Sequence, residues 1–245
     1  MRLIKTTPRP RLRDERGLTL VEMLVATTSG MILLLALFAV LDVSLSQSSR
    51  VADKVDANQH ARTAMEKIVL ELHSSCVAAS VVPVRPGSDD TTIRFISQAG
   101  SASNFPTVDL HVIHLTGTDL IDDSYQSDAG TVAPAWTFPG APTSSQTLLE
   151  NVSQSNGGVL PVFQYFRYYT AADAGGTLGA IDPTPLDTPL SAGDAQLASQ
   201  VTVSFTTGPT SGSTEPTRAI NLSNTAVLRF SPSSGDPSTT NASCS

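Results

Sequence analysis

The sequence predicts an α+β protein: a long N-terminal α-helix, apolar in its first half and amphipathic in its second, packed on a C-terminal antiparallel β-sheet body. Three observations carry that prediction. Residues 18–45 hold only two charges, Glu22 and Asp42. Neither Pro nor Gly occurs between Met31 and Ala79, so nothing interrupts a helix there. From residue 91 onward, short runs rich in β-branched and aromatic residues alternate with stretches rich in Pro, Gly, Ser and Thr.

Residues 1–17 are basic and contain Pro8 and Pro10, with no hydrophobic periodicity. They read as a solvated tail. Six basic residues (Arg2, Lys5, Arg9, Arg11, Arg13, Arg16) stand against Asp14 and Glu15. The formal net charge of −7 therefore hides a body, residues 18–245, that sums to −11 from 9 basic and 20 acidic residues. So acidic a body repels phosphate backbones, and no nucleic-acid partner is expected.

Residues 18–45 form the first half of the helix. Between Glu22 and Asp42 lie 19 uncharged residues, "MLVATTSGMILLLALFAVL". As a helix these span about 28 Å at ~1.5 Å per residue, close to a hydrocarbon core of roughly 30 Å. A membrane-spanning helix follows. The basic tail places the N-terminus in the cytoplasm by the positive-inside rule. A secretory signal cleaved near residue 46 fits less well, because the apolar run is too long and "LDVSLSQSSR" offers no A-x-A-like site.

Residues 46–75 continue the helix in amphipathic form. Val51, Val55, Ala61, Met65, Ile68, Val69 and Leu72 recur at spacings of mostly three and four, with Arg50, Lys54, Asp56, Arg62, Glu66 and Lys67 between them. That stripe calls for a partner surface, most simply the protein's own body. Residues 76–230 form the body, with strands expected at 91–97, 108–115, 146–152, 159–169, 200–207 and 219–230. Val201, Val203 and Phe205 alternate with Thr202, Ser204 and Thr206, the pattern of a sheet with one buried face. Loops are expected at 83–90, 116–145, 170–199 and 207–217, and residues 231–245 read as a flexible polar tail.

Little in the chain points to catalysis. No nucleophile elbow, phosphate loop, dinucleotide fingerprint or zinc pattern occurs. His111 and His114 stand three apart on an expected strand, hence on opposite faces. Asp119, Asp122, Asp123 and Asp128 group in "TGTDLIDDSYQSD" (116–128) without the ligand spacing of an EF-hand. A solvated acidic loop is the expectation there. Asn151, Asn221 and Asn241 begin N-x-S triplets, which a Ser-rich chain contains by chance. No catalytic residue, metal or cofactor is expected, and the protein is expected not to be an enzyme. Cys76 and Cys244 either remain two thiols or, outside the cytoplasm, pair and close a loop, stabilising by on the order of 5 kcal/mol.

The stretch Gly17-Leu18-Thr19-Leu20-Val21-Glu22, following the basic tail, resembles the prepilin signature of type IV pilins and type II secretion pseudopilins. The resemblance implies that residues 1–17 are a leader, that a prepilin peptidase cleaves between Gly17 and Leu18, and that Leu18 becomes the N-methylated first residue. It makes Glu22 the acid at the fifth mature position, which pairs with the α-amine of a neighbouring subunit during assembly. Leu18 departs from the phenylalanine usual in the family, while keeping apolar bulk. "QHARTAMEKIVLELHSS" (59–75) is similar to a segment of the minor subunits, the W-type minor pilins and J-type minor pseudopilins, and "FQYFRYY" (163–169) and "NTAVLRF" (224–230) look like later family segments.

The resemblance implies a pilin-like fold. It also implies a minor structural subunit of a pilus or secretion pseudopilus, placed at or near the tip. Its partners would be the prepilin peptidase, other major and minor pilins or pseudopilins, an inner-membrane assembly platform and membrane lipid. The chain would cross the inner membrane once, its body periplasmic or extracellular. A membrane-anchored binding domain that never polymerises shares the helix but needs neither Gly17 nor Glu22. A DNA-uptake pilin is disfavoured by the acidic body.

Overall fold

The computed structural model describes residues 19–75, 81–98, 108–131, 135–170, 173, 176–177, 179–208 and 219–228. The expected leader with Gly17 and Leu18, both cysteines, Asn241 and the tail 231–245 lie outside the described residues. The chain divides into two compact units, residues 1–49 and 50–245. The fold is α+β, with helix α1 (Leu20–His73) followed by an antiparallel β body.

In the first unit, α1 is exposed over nearly its whole surface, with Leu33 at 66% and Phe38 at 65%. The polar residues in this stretch are satisfied by the helix itself. Thr28 Oγ1 donates to the carbonyls of Leu24 at 2.9 Å and Val25 at 3.0 Å, and Thr27 Oγ1 donates to Leu24 O at 3.0 Å. Hydroxyls satisfied in this way can enter an apolar phase at little cost.

In the second unit, α1 buries Ala57, Ala61, Ala64, Met65, Ile68 and Leu72. The expected stripe is displaced at its start: Val51 and Val55 are 62% and 51% exposed, and burial begins at Ala57. The contact carries small side chains at Ala57, Ala61 and Ala64 and larger ones at Met65, Ile68 and Leu72. The other side of that contact is a single core built from both sheets.

The first sheet has the order β1 (Thr92–Gln98), β2 (Val108–Thr116), β3 (Asp119–Gln126), β4 (Ser144–Leu149), all antiparallel. Ile93, Phe95, Ile113 and Leu120 face the α1 core. Ile96 and Val108 join Val81 in a second cluster, covered by Leu110, Trp136 and Phe138. Strand alternation sends these two sets to opposite faces.

In the second sheet, β7 (Ala198–Thr207) is central. It pairs with β8 (Ile220–Val227) on one side, and with β5 (Val152–Ser153) and β6 (Phe163–Arg167) on the other. Phe163, Tyr165, Val201, Val203 and Phe205 are all fully buried. The one-turn α2 (Ser155–Gly158) holds Asn156 and Gly157 at φ of 54° and 67°. α3 (Ala192–Leu197) is capped by Ser191, whose Oγ accepts the Asp194 amide at 3.1 Å.

Four expectations are corrected. The expected loop 170–199 holds helix α3 and the first residues of β7. The acidic stretch 116–128 is mostly strand β3, because Thr116 and Asp119 close a two-residue hairpin through Gly117 at φ 63°. The expected strand 146–152 breaks at Asn151, whose φ of 55° ends the pairing before Val152 starts β5. The expected strand 159–169 begins only at Phe163, since Val159 is 72% exposed beside the α2 turn.

Candidate functional site

The first candidate is the start of α1. Thr19 caps the helix: its Oγ1 accepts the Glu22 amide at 3.3 Å, and its carbonyl accepts the same amide at 3.0 Å and that of Met23 at 3.2 Å. Thr19 thus stands at the N-cap and Glu22 at the third helical position, the T-x-x-E spacing of a capping box readable in "TLVE", with the bond to the Thr19 hydroxyl formed. The Glu22 carboxylate is exposed in the first turn, where the positive end of the helix dipole favours it. It is the only charge before Asp42 on a helix that is long and apolar enough to cross a membrane. Its expected partner in processing, the Gly17–Leu18 bond, lies outside the described residues.

The second candidate is a polar seam inside the body, where the last turns of α1 cross β2 and β3. Their strand positions turn His111 and Asp122 toward the helix, while His114 and Asp123 lie on the opposite face, 3.9 Å apart. His111 Nδ1 lies 3.0 Å from Asp122 Oδ1 and 3.8 Å from Glu71 Oε2. The imidazole stacks on Phe95, with centroids 5.3 Å apart and planes at 12°. Lys67 Nζ stands 3.6 Å from Glu71 Oε1 and 3.7 Å from Asp122 Oδ2, and donates to Gln146 Oε1 at 2.6 Å. Two buried oxygens, Glu71 Oε2 and Asp109 Oδ1, accept no hydrogen bond among the described residues.

Burial sets the electrostatics of this seam. It is the largest influence on Glu71 and raises its carboxyl, with help from the charge of Asp122 and against His111 and Lys67. Burial likewise raises Asp109 over the opposing pull of His111. For His111 burial pulls the imidazole down, but the hydrogen bond and charge of Asp122, joined by Glu71 and Asp109, outweigh it and raise the pKa.

Two further features lie in the body. Arg167 forms a two-pronged pair with Asp173, at 2.8 and 2.9 Å, and reaches Asp182 at 3.3 Å. A cavity of about 250 Å³ is lined by Ala57, His60, Thr147–Glu150, Thr207 and Gly208.

Of the residues expected to matter, the structure describes Glu22 alone. The polar seam was not anticipated: the sequence reading separated His111 from His114 correctly, but Glu71 is 40 positions from His111 and nothing local links them. No protein-family model matches the chain, and no curated protein matches it.

Proposed function

We propose that this protein is a minor pilin or pseudopilin, a structural subunit rather than an enzyme, assembled through α1 into a type IV pilus or type II secretion pseudopilus. In this reading a prepilin peptidase removes residues 1–17, Leu18 is N-methylated, and the chain waits in the inner membrane with its body on the periplasmic side. An assembly platform then moves it into a filament with other pilins or pseudopilins, where it sits at or near the tip. The fold is accordingly pilin-like.

The observation that carries the proposal is the position of Glu22. It is a lone carboxylate in the first turn of a helix whose next 19 residues are uncharged and almost wholly exposed. Fully burying one Leu- or Phe-sized side chain is worth about 1.5–3 kcal/mol, so a row of them demands lipid or other helices. A carboxylate at mid-bilayer costs about 2.5–3.5 kcal/mol, and less at the interface, where the N-terminal end of such a helix lies. Cleavage after Gly17 would create an α-amine four residues before Glu22. In a bundle of such helices the amine of one subunit can meet the carboxylate of the next, replacing an isolated charge with a pair. The pair supplies register more than net stability, because buried pairs often do little better than break even.

The test is Glu22→Ala expressed in the native host. The variant is expected to be cleaved like the wild type and to accumulate in the inner membrane, but to be depleted from the sheared filament fraction. Incorporation at the wild-type level contradicts the pairing. A wild-type chain that is neither cleaved nor found with filaments supports the membrane-anchored binding domain instead.

A further inference from the structure

We propose that Glu71, His111 and Asp122 form a binding site for one first-row divalent cation of the zinc class, which staples the last turns of α1 to strands β2 and β3. One ring nitrogen of His111 and one carboxylate oxygen each from Glu71 and Asp122 all lie within 4.8 Å of one another. Zinc–ligand bonds of about 2.1 Å place tetrahedral ligands about 3.4 Å apart. The separations from His111 Nδ1, 3.0 Å to Asp122 Oδ1 and 3.8 Å to Glu71 Oε2, bracket that spacing. Shifts of a few tenths of an ångström bring these two separations to that value.

The ligands sit on rigid supports. Asp122 pairs with Ile113 across the β2–β3 ladder and is 5% exposed. His111 is held flat against Phe95. With Nδ1 on the metal, the imidazole keeps its proton on Nε2. Glu71 comes from the helix, so the three ligands belong to three elements. The mixed nitrogen and oxygen set suits zinc-class ions, whereas calcium takes six to eight oxygens.

An independent observation points the same way. Glu71 Oε2, one of the ligand atoms facing His111, is buried and accepts no hydrogen bond among the described residues. Glu71 and Asp122 bring two carboxyl groups to the site, and Lys67 Nζ stands 3.6 Å from the first and 3.7 Å from the second. Lys67 is the natural competitor for the site, and its hydrogen bond to Gln146 Oε1 gives it a seat to keep when a metal enters. Three protein ligands leave a fourth position for water.

The site is independent of filament assembly, because binding is read on single chains. Untagged full-length chain in detergent micelles, stripped with a chelator, is titrated with zinc chloride by calorimetry and assayed for metal after gel filtration. One zinc per chain is expected. Cobalt(II) in its place should show the visible absorption of a four-coordinate site. His111→Gln and Asp122→Asn should lose the bound metal, with folding checked by circular dichroism. Lys67→Met should bind zinc roughly ten-fold more tightly, about 1.4 kcal/mol, as expected when a competing cation is removed. Failure of the folded wild type to bind zinc overturns the proposal, whatever the variants do. So does zinc retained by His111→Gln, or zinc lost on alkylating Cys76 and Cys244.

Discussion

Thr19 and Glu22 are joined at the first turn of α1, the Thr19 hydroxyl accepting the Glu22 amide at 3.3 Å. The residue proposed to meet a neighbouring subunit is therefore also part of the helix's own cap. Replacing Thr19 by Ala should cost about 1 kcal/mol of local helix stability. Amide hydrogen exchange at residues 22 and 23 of the micelle-bound chain should speed up about five-fold, and Thr19→Ser should restore the slow rate. Unchanged exchange in Thr19→Ala would show that the cap contributes nothing.

Ile68 and Leu70 stand two positions apart on α1 and make opposite predictions. Ile68 is fully buried against the sheets, and Leu70 is 70% exposed. Ile68→Ala should destabilise the body by about 2–5 kcal/mol, and Leu70→Ala by less than about 0.5 kcal/mol. Urea unfolding followed by the fluorescence of Trp136, the single tryptophan, measures both. Equal losses would contradict the burial pattern of the helix.

The Tyr165 hydroxyl faces the Asp89 and Thr92 carbonyls, at 3.0 and 3.1 Å, tying β6 to the start of β1. Burial raises its pKa well above the usual range, so it stays a donor throughout neutral pH. Tyr165→Phe keeps the packing and removes the donor. The same unfolding assay should show a loss of about 1 kcal/mol.

Asp173 predicts the acid response. Hydrogen bonds from Arg167, then from the Thr170 amide and hydroxyl, hold its carboxyl well below the usual carboxylate range. A depressed carboxyl contributes stability that is fully present above its unfolded value of about 3.9 and fades as pH falls toward the folded one. Asp173→Asn should therefore be less stable than wild type at pH 7, and the gap should shrink steadily below about pH 4. A gap that stays constant down to pH 2 would show that the ionised carboxylate is not what matters.

The sequence revealed the helix and most strands because those signals are local. A run of 19 uncharged residues without Pro, and an alternation such as that of Val201–Phe205, need no knowledge of what packs where. Strand β3 escaped because "DLIDDSYQ" carries three aspartates, and aspartate argues for loop. Asp122 is tolerated inside only because Lys67 and His111 reach it from α1 and β2. The apolar stripe of α1 could be read, but not its starting point. Where burial begins is decided by where the sheet lies, so Ala57 is covered while the more apolar Val51 and Val55 are not. The seam joining Glu71, His111 and Asp122 depends on two long-range pairings and leaves no spacing to find.

The central claim concerns how the chain is processed, and it is tested most directly by intact-mass and N-terminal peptide spectrometry of the protein from native cells. The account predicts a mature chain beginning at N-methylated Leu18, with residues 1–17 absent. A chain that keeps Met1, or one cut near residue 46, would contradict it.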